Sequence, residues 1–464
     1  MEEKRENPLG YRPIPGLLFS FAVPSIIATL VSSLYNLVDQ VFIGHAVGTL
    51  GNAATNIVFP LNTTCTALAL LLGIGGASAF NLSMGAKREE EAPYFIGNAF
   101  AMLVLLGCAL TLISEVFLYP MLTFFGAPEN VLPYAAEYCR IVAFGYPLLI
   151  SSVGGGHLIR ADGSPRYMLL CNLSGAVLNT FLDALFVFGF QWGMAGAALA
   201  TVIGQILSFA LVVRYLLHYK TIRLHLTYFI PNPKFFLRIM TLGTAPFFNQ
   251  IAMMVVQVVM NKSLTYYGSQ SIYGGDIPLA VAGIISKVGM IFFSIIIGTS
   301  QSMQPLVSFN YGAKKYERVM STYKIAMTVA FLVSVASMIA FQFFPRQIIG
   351  LFGGGSEEYY LFAVRYFRIY MALILIDFAQ PITSNYFTAI GKPQLGVFLS
   401  LTRQIIFLLP LYLIMPRIFG IDGLIYAGPI ADALAFICTT TLAVREWKEL
   451  VRLNAESKQK IETA

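Results

Sequence analysis

Long apolar runs alternate with short polar breaks from one end of this chain to the other. Twelve runs are read, at residues 15–44, 52–80, 93–119, 132–158, 167–189, 193–217, 235–265, 278–305, 318–343, 359–387, 395–416 and 421–445. Such runs are long enough to cross a bilayer core of roughly 30 Å. Lipid offers the backbone no hydrogen-bond partners, so only helices or a closed barrel can span it. The strands of a barrel need only ~10 residues, far fewer than these runs contain, so the spans are predicted to be helical. The pattern predicts an all-α polytopic membrane protein with twelve transmembrane helices.

Composition agrees. Of 464 residues, 57% are hydrophobic and 11% charged, and mean hydropathy is +0.71. A soluble protein would carry about twice that charged fraction. The connections are short, and the longest contains HYKTIRLHLTYFIPNPK. This predicts a terminal segment 1–14, a first lobe 15–217, an inter-lobe loop 218–234, a second lobe 235–445 and a tail 446–464. The polar start MEEKRENPLGYRPIP has no small-residue cleavage site, so no signal peptide is expected. Cys65, Cys108, Cys139, Cys171 and Cys438 fall in or beside apolar runs and are expected as free thiols. The histidines are scattered, so no metal or other cofactor is expected beyond a coupling ion.

The net charge of +7 reflects topology rather than nucleic acid. Basic residues, among them Arg12, Lys87, Arg160, Arg166, Lys220, Lys314, Lys315 and Arg445, collect on one side, while Arg346 and Arg417 stand on the other. The positive-inside rule then places both termini in the cytoplasm of a multi-pass protein of the inner, plasma membrane.

The halves repeat. GAK at 85–87 returns at 312–314, ADGSPR at 161–166 answers AIGKPQ at 389–394, and WGMAG at 192–196 answers FGIDG at 419–423. All three pairs share an offset of 227 or 228. Six spans per half keep the repeat parallel, so two six-helix lobes related by a pseudo-two-fold axis are predicted, with a transport path between them.

Two charges break the apolar pattern of the first half. Asp39 lies in SSLYNLVDQVFIG and Asp183 in LSGAVLNTFLDALFVFG. A lone carboxylate in a bilayer costs roughly 3 kcal/mol, which makes it a functional candidate. At 1.5 Å per residue, both lie about 8–9 Å below the outer edge. Two carboxylates close together in apolar surroundings are hard to keep ionised, so one proton or one small cation could be held between them. Tyr35, Asn36, Asn179, Asn172, Ser174 and Thr201 share their helix faces or depth. Asn172, Ser174 and Thr201 could equally glue helices together. Pro24 removes a backbone hydrogen bond mid-span, as a static bend or as a hinge.

The second half does not duplicate the acidic site but holds Lys287, Asp377, Arg403 and Asp432 within spans. Arg403 could pair with Asp432 or with Asp377. Asn36, Asn172, Asp377 and Lys287 are candidates for contact with cargo in a substrate cavity.

Together, Pro24 and YNLVDQVFIG in span one, NTFLDALFVFG in span five, the GAK pair and the GSP turn resemble the multidrug and toxic compound extrusion (MATE) transporters, in particular their prokaryotic DinF-like branch. The resemblance covers essentially the whole chain. It implies an antiporter that exports cationic lipophilic compounds in exchange for H⁺ or Na⁺ by alternating access. It further implies a first-lobe coupling site at Tyr35, Asp39, Asn179, Asp183 and Thr201, with Na⁺ an option at Asp39, Asp183 and Asn179, and a bend at Pro24. A monomer in lipid is expected, with small-molecule cations as partners. A lipid or lipid-linked oligosaccharide flippase of the same superfamily is the alternative; it would need a cationic cavity, whereas the first lobe here is acidic. No catalytic motif is present, so no enzyme is expected.

Overall fold

A computed structural model describes residues 7–274, 276–351 and 357–462; the side chains of Asn36, Ala46, Thr49, Asp276 and residues 460–462 lie outside the description. The described residues are helical throughout, with no strand. In the first half, α1 (Ile14–Ala46) and α2 (Thr49–Gly85) form a long pair, followed by α3 (Ala92–Val116) and the short α4 (Leu118–Phe124). The expected fourth span is two helices, α5 (Leu132–Ala143) and α6 (Tyr146–Ala161), bent by 56° where Gly145 and Pro147 interrupt the run. Next come α7 (Pro165–Asp183), a π-helical turn at Ala184–Gly189, and α8 (Gly193–Leu217). Proline at the first or second position opens α5, α6 and α7, where its missing N–H costs nothing.

The second half follows the same plan. It contains α9 (Pro233–Ser269), α10 (Asp276–Gly312), α11 (Tyr316–Phe343) and the short α12 (Pro345–Gly350). The expected tenth span, read as one run, is broken into α13 (Glu357–Tyr370), α14 (Ile374–Asp377) and α15 (Ala379–Ala389). Then come α16 (Pro393–Leu401), a π-helical turn at Thr402–Leu408, α17 (Leu409–Phe419) and α18 (Ile421–Glu462). Among the described residues, ten helices are long and apolar enough to cross a membrane, and the bent α5–α6 pair makes an eleventh span. The interrupted α13–α15 occupies the position of the expected tenth span.

The repeat is visible in backbone detail. Gly163 and Gly391 both take a positive φ, 78° and 79°, in equivalent turns that a side chain would strain. Lys87 and Lys314 of the GAK pair do so as well, at 60° and 57°. These two turns place α2 against α10. A Cβ on Gly85 would sit 2.0 Å from Phe309 O, and one on Gly312 would sit 2.3 Å from Leu82 O. The two contacts interchange under the 227-residue offset, so the lobes meet there through the same patch used twice.

The lobes also exchange their first half-helices. One buried core runs from Ala28 to Leu242 and takes in Phe235, Ile239 and Leu242 at the start of α9. The other runs from Val256 to Leu450 and takes in Leu17, Leu18 and Phe21 at the start of α1. α1 continues through Pro24 as one helix. Just past it, Gly298 of α10 comes so close that a Cβ would lie 2.7 Å from the Ile26 Cα. Further ties are Thr29 Oγ1 to Ser294 O at 2.7 Å, Gln304 Nε2 to Ser78 Oγ at 2.5 Å, and Arg318 Nη2 to Leu9 O and Arg12 O at 3.0 and 2.7 Å. All lie in the half of the molecule that carries the termini or at its midplane. Beyond Ser33 and Ser294, 2.9 Å apart, no hydrogen bond joins the two lobes among the described residues toward the opposite face.

In lipid, helices associate by close packing rather than by hydrophobic burial, so small residues at a crossing carry unusual weight. Gly85→Ala is expected to lower unfolding stability by about 1–3 kcal/mol, because the obstructing atom is backbone and cannot swing aside. Gly16→Ala is the control, since a Cβ there meets nothing within 4 Å. Thermal unfolding of the two purified variants in detergent measures the difference; equal melting points would show that the crossing tolerates bulk.

Candidate functional site

Four helices of the first lobe converge on its two acids. α1 supplies Tyr35 and Asp39, one turn apart. α7 supplies Asn179 and Asp183, again one turn apart, and α8 supplies Thr201. α5 adds Tyr138, which sequence reasoning missed. Asp183 is fully buried, Asp39 is 9% exposed and Asn179 2%. Asp183 is the last residue of α7, and the π-helical turn begins at the next residue, as such turns often do beside functional groups.

Asn179 Nδ2 donates to Thr201 Oγ1 at 3.3 Å, and Thr201 donates onward to Ala197 O at 3.0 Å. Tyr35 and Tyr138 lie near Thr201 and within electrostatic range of both acids. The Asp39 and Asp183 carboxyls are close enough to act on each other electrostatically. Asp39 Oδ1, both oxygens of Asp183 and Asn179 Oδ1 receive no donor from the protein among the described residues. Acceptor oxygens without donors in a buried place are what a proton or a hard cation would satisfy. Groups of three or more His, Cys, Asp or Glu that could hold a metal are absent among the described residues, so a cation here would depend on amide and hydroxyl oxygens as well.

A cavity of about 440 Å³ lies between the lobes. Tyr35, Asn179, Thr201 and Asn172 line it; Asp39 and Asp183 stand behind them, off its wall. From the second lobe, Asp377, Gln380, Arg403 and Gln404 line the opposite wall. Lys287, proposed from the sequence as a cavity residue, is half-buried elsewhere on α10 and does not reach the wall. Its position toward the face opposite the termini carries it past the cavity. The Asn36 side chain lies outside the described residues.

The second-lobe charges form a triad rather than one pair. Arg403 Nε stands 2.6 Å from Asp432 Oδ1 and 3.2 Å from Asp377 Oδ1. The sequence left the two partners as alternatives; the π-helical turn at Thr402–Leu408 presents the guanidinium to both. Arg160 is also placed differently from expectation. It was counted among the surface charges near the termini but is only 4% exposed, inside α6 and on the cavity wall. The α6 helix runs past the expected end of the fourth span and draws Arg160 inward.

Removing Arg403 would leave two buried carboxylates without their counter-charge, which typically costs about 3–5 kcal/mol. Arg403→Ala is therefore expected to lose most folded yield, and Asp432→Asn clearly less. Gel-filtration yield and thermal unfolding of the two variants decide it; equal behaviour would remove the triad's structural role.

With fold and site in hand, comparison with known proteins is direct. A sequence profile described as MatE matches residues 24–185 and 246–414, one segment in each half. Multidrug export protein MepA of Staphylococcus saprophyticus subsp. saprophyticus is 23% identical over 418 residues, covering 90% of each chain. MepA of Staphylococcus aureus is 23% identical over 423 residues, covering 91% of this chain and 92% of its own. Among solved structures, a MATE protein in its bent conformation superposes with TM-score 0.87 at 22% identity over 96% of this chain and 98% of its own. A structure in the straight conformation gives 0.88 at 21% over the same shares. An outward-facing multidrug resistance MATE transporter of the MOP superfamily gives 0.86 at 22%, over 96% and 99%. By the match across both halves and by its twelve-helix, two-lobed fold, this chain belongs to the MatE family of membrane transporters, the multidrug and toxic compound extrusion proteins.

Proposed function

We propose that this protein is a secondary-active multidrug exporter that expels cationic lipophilic compounds in exchange for H⁺ or Na⁺. The observation that carries the reading is the Asp39–Asp183 pair, buried behind Tyr35, Asn179 and Thr201, with acceptor oxygens that the protein leaves unsatisfied. The pair is separated from the cavity only by the residues that line it. Loading it with a proton or cation therefore changes the charge next to bound cargo without the two sharing atoms. That is the differential interaction an exchanger requires: each ligand weakens the other's binding.

In this reading the basic ends of the chain stand in the cytoplasm and the protein crosses the plasma membrane as a monomer. The lobes, 15–217 and 235–445, rock about the cavity. Closure of the termini half through Gly85 and Gly312 supports a cavity open to the outside. Pro24, beside the Gly298 crossing, would give α1 its hinge. The curated relatives named as multidrug export proteins support the choice of cargo.

The test is ethidium efflux from proteoliposomes driven in turn by a pH gradient and a sodium gradient. Asp39→Asn and Asp183→Asn are each expected to reduce ion-driven efflux at least tenfold with expression intact. Wild-type rates in either variant would sink the coupling assignment, and the gradient that drives the wild type names the ion.

A further inference from the structure

The cavity has a second pole that the coupling site does not use. Arg160 lies one residue from the end of α6, near the face that carries the termini, and lines the cavity with His157, Met168 and Asn172. Its guanidinium is 4% exposed, yet no carboxylate pairs with it among the described residues. Nη1 donates to His157 Nδ1 at 3.3 Å, and Nη2 reaches only the Met168 thioether at 4.0 Å. Nε has no hydrogen-bond partner among the described residues. The nearest acid in sequence, Asp162, is fully engaged elsewhere: its oxygens accept from Tyr215 Oη at 2.8 Å, Lys220 N at 2.7 Å, Thr221 N at 3.0 Å and the Thr221 hydroxyl.

A buried charge without a counter-charge is among the costliest features a protein can keep. The contrast with Arg403, held between two aspartates, is direct. The unfilled part of Arg160 is the side-on edge formed by Nε and Nη2. That edge is planar and doubly donating, which fits a carboxylate better than any neutral group. The same cavity carries the acid pair behind its other end.

We propose that Arg160, steadied by His157 and beside Asn172 on the cavity wall, is a subsite for a carboxylate on the cargo, so that among cationic compounds the cavity favours those that also bear a carboxylate. The inference rests on the export reading for the word cargo, but its test does not depend on transport.

The probes are rhodamine B, which carries a carboxylate beside its cationic ring system, and its methyl ester, which lacks only that charge. Binding to the purified protein in detergent is measured by fluorescence anisotropy without any ion gradient. The wild type is expected to bind rhodamine B more tightly than the ester. Arg160→Gln should weaken rhodamine B at least tenfold and the ester less than twofold. Should R160Q not fold, R160K decides: it keeps a charge but loses the fork, and should weaken rhodamine B alone. Equal binding of the two dyes by the wild type, including no binding of either, overturns the proposal. So do equal losses for both dyes in the variants. If phosphatidylglycerol added to the micelles abolishes the difference between the dyes, the site belongs to a lipid phosphate and the cargo assignment falls. Failure of gradient-driven efflux with binding discrimination intact would count against the export reading alone.

Discussion

A charge placed in a bilayer has no water and no counter-ion to meet it, and the placement of every polar group in this protein answers to that constraint. Three solutions are present. Arg403 is neutralised by acids from two other elements and becomes a structural knot. Asp162 sits at the edge of the membrane, wrapped by Tyr215 and the start of the inter-lobe segment; burial pushes its carboxyl up to about 6 despite those donors. Asp39 and Asp183 are buried near each other with oxygens that accept no donor from the described residues. Only the third arrangement leaves buried carboxylate oxygens without a donor from the described residues.

The helices tie the acid pair to both lobes. α1 carries Asp39 in the first lobe while its opening turns are buried in the core of the second. α9 mirrors this by starting in the first lobe's core. A change at Asp39 therefore acts on a rod anchored in both lobes. The glycine crossings at Gly85, Gly312 and Gly298 let backbones approach without intervening side chains, and the Gln304–Ser78 and Arg318–Leu9 hydrogen bonds add to that seam.

Much of this was legible in the chain. The twelve runs, the offset of 227 or 228, and the two isolated aspartates are local or periodic signals, and each maps onto a feature of the fold. Tyr138 carried no such signal, because it comes near Thr201 from a helix whose pattern reads as ordinary packing. Lys287 looked like a site residue because a charge in an apolar run is rare, yet rarity gives no direction. The break between α5 and α6 was foreshadowed by Gly145 and Pro147, whereas the equivalent break after Tyr370 has no proline beside it.

The sequence by itself determined that the protein spans a membrane twelve times, that its halves repeat, and which charges had to be exceptional. These follow from hydrophobic length, register and the scarcity of charge in lipid, all properties of neighbours along the chain. The tertiary structure decided which of those charges are satisfied. Arg403 has two carboxylate partners, the paired aspartates keep oxygens without a donor, and Arg160, counted from sequence as an ordinary surface charge, is buried with no counter-charge among the described residues. Whether a buried charge is balanced depends on groups tens to hundreds of residues away, and only packing brings them within the few ångströms over which charges compensate.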